Sequence, residues 1–161
     1  MNWLVVNILL AIGWAALWGE VSAINLLAGF VLGFFGLWFA RGLLGREERV
    51  RYFEAVLQTI VLFFYFLKEL VKSCIMVARD CVARRPNLHP AIVRMPIEPK
   101  SDLEIFVLSS LITLTPGTLT LDVAEDRSYL VIHSIYAEDP EALVADLKSG
   151  MEHRVNEVFR R

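Results

Sequence analysis

Residues 1–40 read MNWLVVNILLAIGWAALWGEVSAINLLAGFVLGFFGLWFA and contain a single ionisable side chain, Glu20. From Met1 to Trp18 the only strongly polar side chains are Asn2 and Asn7; from Val21 to Ala40 they are Ser22 and Asn25. A bilayer-crossing helix needs about 20 predominantly apolar residues. Backbone polar groups cannot go unpaired in hydrocarbon, so each run must be helical. The two runs predict two transmembrane helices forming an antiparallel hairpin, broken at Gly19-Glu20. A cleaved leader is the competing reading of the first run. It is disfavoured by the lack of a basic start and by the second apolar run that follows at once.

Charge changes sign outward from this stretch. Residues 1–40, 41–100 and 101–161 carry net charges of −1, +5 and −6, which make up the −2 of the whole chain. An apolar start, a basic middle and an acidic tail predict a transmembrane hairpin over 1–40 and a basic linker with a long amphipathic helix over 41–89. A small cytoplasmic α+β domain follows over 90–161. Arg41, Arg46, Arg49 and Arg51 follow the hairpin while its turn has no Lys or Arg. The positive-inside rule then places the N-terminus and the tail in the cytoplasm. Trp3 and Trp38 fall at the inner interface and Trp18 at the outer one, as an aromatic belt requires. No basic patch with interleaved aromatics points to nucleic acid.

Small residues give the hairpin a seam. Gly29 and Gly33 form a G-x-x-x-G pair, and Ala11 and Ala15 offer a matching face on the first run. Such residues permit close helix contact in lipid. The seam serves either packing within the hairpin or docking against a partner's helix.

The apolar run Ala55 to Leu67 is interrupted only by Gln58 and Thr59, and is short for a span. Lys68, Glu69, Lys72 and Arg79 follow; the three basic residues share one helical face. This predicts an interfacial helix at the inner membrane surface with a polar face. A third span is the alternative, and it would put an Arg cluster outside, against the charge rule. Cys74 and Cys81, seven apart on this helix, are about 10 Å apart, too far for a disulfide.

In the tail, Ile92 to Ile97 reads as a strand that Pro96 confines to an edge. Ser101 and Glu104 form an S-x-x-E capping box opening a helix to about Leu114. From Ile105 to Leu114 that helix carries no charge, so it must be covered on several sides. Thr115-Pro116-Gly117 is a turn. Thr118 to Val123 alternates polar and apolar, as in a half-buried strand. Ala124 to Arg127 is a hairpin loop, and Tyr129 to Ile135 is a central strand. Asp139 caps a last helix with Pro140 at its first position, and Leu143, Leu147, Met151, Val155 and Val158 form its buried stripe. The order β-α-β-β-α is that of a truncated ferredoxin-like sandwich.

Chemistry-bearing motifs are scarce. His89, His133 and His153 have no metal-ligand spacing, and neither cysteine joins them in a zinc pattern. His133 is expected in the core or at an interface. No G-x-S-x-G, P-loop or G-x-G-x-x-G occurs. The hairpin has no charge at mid-bilayer, where an ion relay needs one, and Glu20 sits at its turn. No catalytic residue, cofactor or metal is predicted, and no small-molecule substrate of the chain's own.

The stretch Ser110-Leu-Ile-Thr-Leu-Thr-Pro-Gly-Thr-Leu-Thr-Leu-Asp-Val123 resembles the signature of the E subunit of multisubunit Mrp-type Na+/H+ antiporters. Val131-Ile132-His133 and Lys68-Glu69-Leu70-Val71-Lys72-Ser73 look like the same family, and the layout matches along the whole chain. The resemblance implies a multi-pass protein of the bacterial inner membrane, partnered by the other subunits of a cation/proton antiporter complex. Its role there is implied to be structural, with ion paths carried by larger subunits. Thr113, Thr115, Pro116, Gly117 and Thr118 would form an architectural turn, within the tail or against a neighbour. A stand-alone membrane-tethered module that recruits a cytosolic partner is the alternative; such a module would purify alone in mild detergent.

Overall fold

A computed structural model describes residues 3–40, 47–98 and 101–159. Residues 1–57 and 58–161 form two compact units.

The first unit contains two apolar helices, α1 (Trp3–Leu17) and α2 (Ala23–Phe39). The polar residues of the second run close the turn between them. Ser22 is the N-cap of α2, its hydroxyl accepting the Asn25 N–H at 3.2 Å, and the Asn25 amide donates to the Glu20 carbonyl at 3.0 Å. Gly19 takes φ +69°, a left-handed conformation that ends α1. The buried side of α1 is Asn7, Ala11 and Ala15. Against it lie Gly29, where a Cβ would fall 2.9 Å from the Ala11 backbone, and Gly33, where a Cβ would meet Asn7 Oδ1. The small-residue seam is thus filled from within the hairpin. A Cβ at Gly36 would meet nothing within 4 Å.

The helices have 15 and 17 residues, about 22 and 26 Å at 1.5 Å per residue. Among the described residues no helix is long and apolar enough to cross a membrane. Of the basic cluster used to orient the hairpin, Arg41 and Arg46 lie outside the described residues, as do the side chains of Arg49 and Arg51.

The middle helix α3 covers Glu47–Val82, 36 residues. It ends just before Arg84-Arg85-Pro86, past the basic face that follows the apolar run, and it starts ahead of Ala55 because Glu and Arg are good helix formers.

The second unit holds a three-stranded sheet of β1 (Ala91–Pro96), β2 (Thr118–Val123) and β3 (Tyr129–Ser134), in the order β1-β3-β2. Both pairings are antiparallel, so β1 and β2 run parallel on either side of β3, and Pro96 is on an edge strand. Leu121 is the extra residue of a bulge in β2. Between β1 and β2 runs α4 (Asp102–Leu114), capped by Ser101, whose hydroxyl donates to Glu104 Oε1 at 2.8 Å. After β3 come α5 (Pro140–Leu147), capped by Asp139, a π-helical turn (Lys148–Glu152) and α6 (His153–Phe159).

That π turn replaces the expected continuous helix. Leu143, Leu147, Met151 and Val155 are spaced by four, which drifts round a helix of about 3.6 residues per turn. The wider turn re-phases the stripe, leaving Leu147, Met151 and Val155 all buried. It also buries Glu152, whose carboxylate accepts the Glu98 N–H at 3.3 Å and so ties down the chain after β1.

One sheet face carries the core: Val93, Met95, Leu130 and Ile132 pack with Ile105, Leu108 and Ile112 of α4 and with Leu62 of α3. On the other face Ile92, His133 and Leu119 are paired across the strands and reach solvent. His133 is therefore no core residue; it lies half-buried at the middle of the open face.

Candidate functional site

The turn after α4 derives from the problem every helix end poses, a set of carbonyls without intrahelical donors. Here threonines supply the donors. Thr115 Oγ1 donates to Leu111 O at 2.9 Å, and Thr118 Oγ1 to Ile112 O at 2.6 Å and Thr115 O at 3.0 Å. Thr113 works in the other direction, its hydroxyl accepting the Thr120 N–H of edge strand β2 at 3.2 Å, while Thr120 Oγ1 donates to Ser109 O at 3.3 Å. The T-L-T-P-G-T-L-T run thus seals the helix end and binds it to the sheet edge.

Pro116 and Gly117 make the reversal. Thr118 N–H donates to Thr115 O at 3.2 Å across them, and Gly117 has φ +95°, the signature of a type II turn. Gly117 O then receives the Ile135 N–H at 2.9 Å, continuing the ladder. A Cβ on Gly117 would lie 3.1 Å from the Tyr136 ring. Replacing Thr118 by Val, which keeps the shape, removes two hydrogen bonds at a half-buried site. The expected loss is about 1–2 kcal/mol, read as a lower thermal midpoint of the purified chain.

The turn and the polar face of α3, far apart in sequence, line one cleft of about 140 Å³. Glu69, Lys72 and Ser73 come from α3; Thr115, Pro116 and Thr118 from the turn; Tyr136 and Asp146 from the segments beyond. Glu69 is the centre of its charges, pairing with Lys68 at 3.5 Å and Lys72 at 3.2 Å. The hydrogen bond to Glu69 is the main reason the Lys72 ammonium is held above the ordinary lysine range. Burial, and then the Glu69 charge, pushes the Tyr65 phenol up. At Tyr136 the cause is again burial first, with Asp80 adding to it. Arg79 is exposed and is not among the residues lining the cleft. Gly29 and Gly33 belong to the first unit.

A second contact fixes α3 on this unit. The Tyr65 hydroxyl sits where a Cβ of Gly150 would be. The Arg154 guanidinium lies 3.7 Å from the Tyr65 ring centroid and donates to Gly150 O at 2.8 Å. Sequence reasoning missed this trio. Gly150 interrupts the predicted last helix, and that irregularity is the one signal the sequence carried.

Opposite its docked side, α3 presents Ile60, Phe64, Leu67, Val71, Ile75 and Val82, spaced by three, four and seven and all exposed. Lys68, Lys72 and Arg79 border this stripe. Cys74 and Cys81 are free and exposed. Among the described residues no three His, Cys, Asp or Glu side chains are grouped to hold a metal ion. His89 bridges to Tyr136 through the backbone, His133 is on the open sheet face and His153 begins α6.

The family profile described as "Na+/H+ ion antiporter subunit" matches residues 7–158. The chain is 35% identical over 157 residues to the E subunit of the Na(+)/H(+) antiporter of Bacillus subtilis (strain 168), covering 98% of both chains. It is 34% identical over 157 residues to the corresponding antiporter chain of Alkalihalophilus pseudofirmus, again covering 98% of each. Among solved structures, a chain of the membrane-bound sulfane sulfur reductase, an archaeal respiratory membrane complex, has the same fold. Its TM-score is 0.58 over 98% of this chain and 99% of that one, at 24% identity.

Proposed function

Because this chain belongs to the family of Na+/H+ ion antiporter subunits, we propose that it is a non-catalytic structural and assembly subunit of a multisubunit, Mrp-type cation/proton antiporter in the bacterial inner membrane. Its relatives are components of transporters, and the chain works at a membrane with other subunits as partners. In this reading α1 and α2 are the membrane-embedded hairpin of segment 1–40, short helices extended by interfacial flanks. Segment 41–89 supplies the surface helix, and 90–161 is the cytoplasmic domain, a truncated ferredoxin-like sandwich whose strand order β1-β3-β2 supports the comparison.

The observation that carries the reading is the two-faced α3. One side packs through Leu62 and Tyr65 into the α/β unit, and the other exposes the apolar stripe. A stripe of that kind, bordered by Lys68, Lys72 and Arg79, suits the headgroup–acyl boundary. Apolar side chains enter the lipid there and long basic ones snorkel to its surface. Glu69 has both oxygens engaged by Lys68 and Lys72 of the same helix, which makes it part of the charge network of α3 rather than of an ion path.

Topology is the test. With Cys74 and Cys81 replaced by Ser, a cysteine at position 20 should react with an impermeant thiol reagent added outside. One at position 46 should react only after permeabilisation. Labelling of position 46 from outside would establish a third span and overturn the surface-helix reading.

A further inference from the structure

The two edges of the sheet differ. On β2 the Thr120 N–H donates to Thr113 Oγ1 at 3.2 Å and the Val123 N–H to Asp122 Oδ1 at 2.8 Å, and the bulge at Leu121 breaks the strand. On β1 the edge is open. The Ile97 N–H donates to Ser128 O at 3.0 Å, and in an antiparallel ladder bonded and non-bonded pairs alternate. Ala91, Val93 and Met95 therefore exchange their bonds with β3, while Ile92 and Arg94 turn N–H and C=O outward. Among the described residues nothing pairs with these outward groups. Pro90 and Pro96 hold the flanking outward positions and bring no N–H, which blunts the edge except for a slot at Ile92 and Arg94. Beside the slot an open groove of about 440 Å³ runs between β1 and α5, with Ile92 and Arg94 on one wall and Val144, Ala145 and Lys148 on the other. Glu141 is the third charged residue lining it, so the lining is net positive.

We propose that β1 receives a fourth strand, a short extended segment of another subunit that carries a carboxylate beside Arg94 and Lys148. The outward backbone groups require a peptide, because no lipid repeats donors and acceptors at strand spacing. Alternate side chains of that segment would lie over Val144 and Ala145 in the groove. The topology leaves this place open. A β-α-β-β-α-β sandwich ends in a strand that completes the sheet beside β1, and among the described residues no strand follows β3. A second copy of the chain fits less well. A two-fold pairing of the same edge brings Arg94 and Lys148 of both copies to one seam, against a single Glu141 carboxylate from each. This inference rests on the multisubunit reading proposed above.

Amide hydrogen exchange at single-residue resolution tests the proposal, on the complete complex and on the full chain expressed without the other subunits. The Ile92 and Arg94 amides should exchange about tenfold or more slowly in the complex than in the lone chain, while Val93 and Met95 are slow in both. Ile92→Pro deletes one outward N–H and none that β3 uses, so it should return the Arg94 amide of the complex to its lone-chain rate. Ile92→Thr, which keeps the N–H, should not. Lys148→Glu should speed the Arg94 amide as well, by setting a carboxylate against a carboxylate. Equal rates at 92 and 94 in complex and lone chain would overturn the fourth strand. Protection in both would overturn the assignment to another subunit. An Arg94 rate unmoved by Ile92→Pro would overturn the backbone pairing, and one unmoved by Lys148→Glu would overturn the carboxylate. Should Ile92→Pro also expose Val93 and Met95, the strand itself has failed, and the comparison of complex with lone chain decides. If no other subunit accompanies the chain in mild detergent, the multisubunit reading falls and the fourth strand with it; if others accompany it while both amides stay fast, only the fourth strand falls.

Discussion

Gly117→Val is expected to cut the amount of assembled antiporter sharply. Two costs combine. At φ +95° an L-residue is strained, and a β-branched one most of all. The new Cβ would also lie 3.1 Å from the Tyr136 ring and 3.3 Å from Ile135 Cγ1. Backbone strain of this kind costs about 1–3 kcal/mol before any crowding is added. Relief would move the Pro116-Gly117 reversal, and with it the Thr115 and Thr118 hydroxyls from the α4 carbonyls they cap. The free helix end would then lose its hold on β2, and α4 would shift against the sheet. At 1.4 kcal/mol per factor of ten, a loss of about 2–3 kcal/mol lowers the folded-to-unfolded ratio of the domain roughly thirty- to hundredfold, and the assembled complex falls as that ratio approaches one. Blue-native electrophoresis of detergent-solubilised membranes measures it. Gly117→Ala, which keeps the strain but drops the branch, should be intermediate.

Gly33→Leu acts within the first unit. A Cβ at 33 would meet Asn7 Oδ1 and come within 3.1 Å of Leu10 Cβ, so a leucine can be housed only by prising α1 from α2. Overpacking a close contact costs about 1–3 kcal/mol, and the hairpin has little else to hold its register, since apolar helices gain little from apolarity in lipid. The expected phenotype is loss of co-purifying subunits and of sodium resistance. Gly36→Leu is the matched control, because a Cβ there meets nothing within 4 Å. If position 33 tolerates leucine as well as position 36 does, the seam is not a tight interface.

The parts legible in the sequence are those with a period or a cap. Alternation marked β2, and Ser101 and Asp139 marked the starts of α4 and α5 at the right residues. Pro116-Gly117 marked the turn, where Gly117 takes its positive φ. What stayed hidden depends on contacts between distant segments. Thr113, Thr115, Thr118 and Thr120 read as helix, turn and polar strand residues, yet three donate to carbonyls of α4 and Thr113 accepts from the β2 backbone, because these partners come together only once the helix stops there. Lys68, Glu69 and Lys72 read as a solvated face. Burial of α3 against the domain turns Glu69 and Lys72 into walls of the same cleft as the turn. The π turn was foreshadowed only by the four-residue spacing of Leu143, Leu147, Met151 and Val155, whose misfit to an α-helix becomes visible when all must reach one core. At α4, the uncharged stretch predicts cover on several sides; the fold supplies one side and leaves Phe106 and its neighbours open.

In the proposed role this chain builds the antiporter without joining its ion path. The direct measurement is the Na+ concentration giving half-maximal antiport in everted membrane vesicles, with rates normalised to assembled complex, for Gly117→Val and Gly33→Leu beside the parent. A purely structural subunit predicts that both variants lose activity in proportion to the complex they fail to assemble, while the half-maximal Na+ concentration of what remains is unchanged. Normal assembly with a strongly shifted Na+ or proton dependence in either variant would contradict the account and put the turn or the hairpin seam in the transport machinery itself.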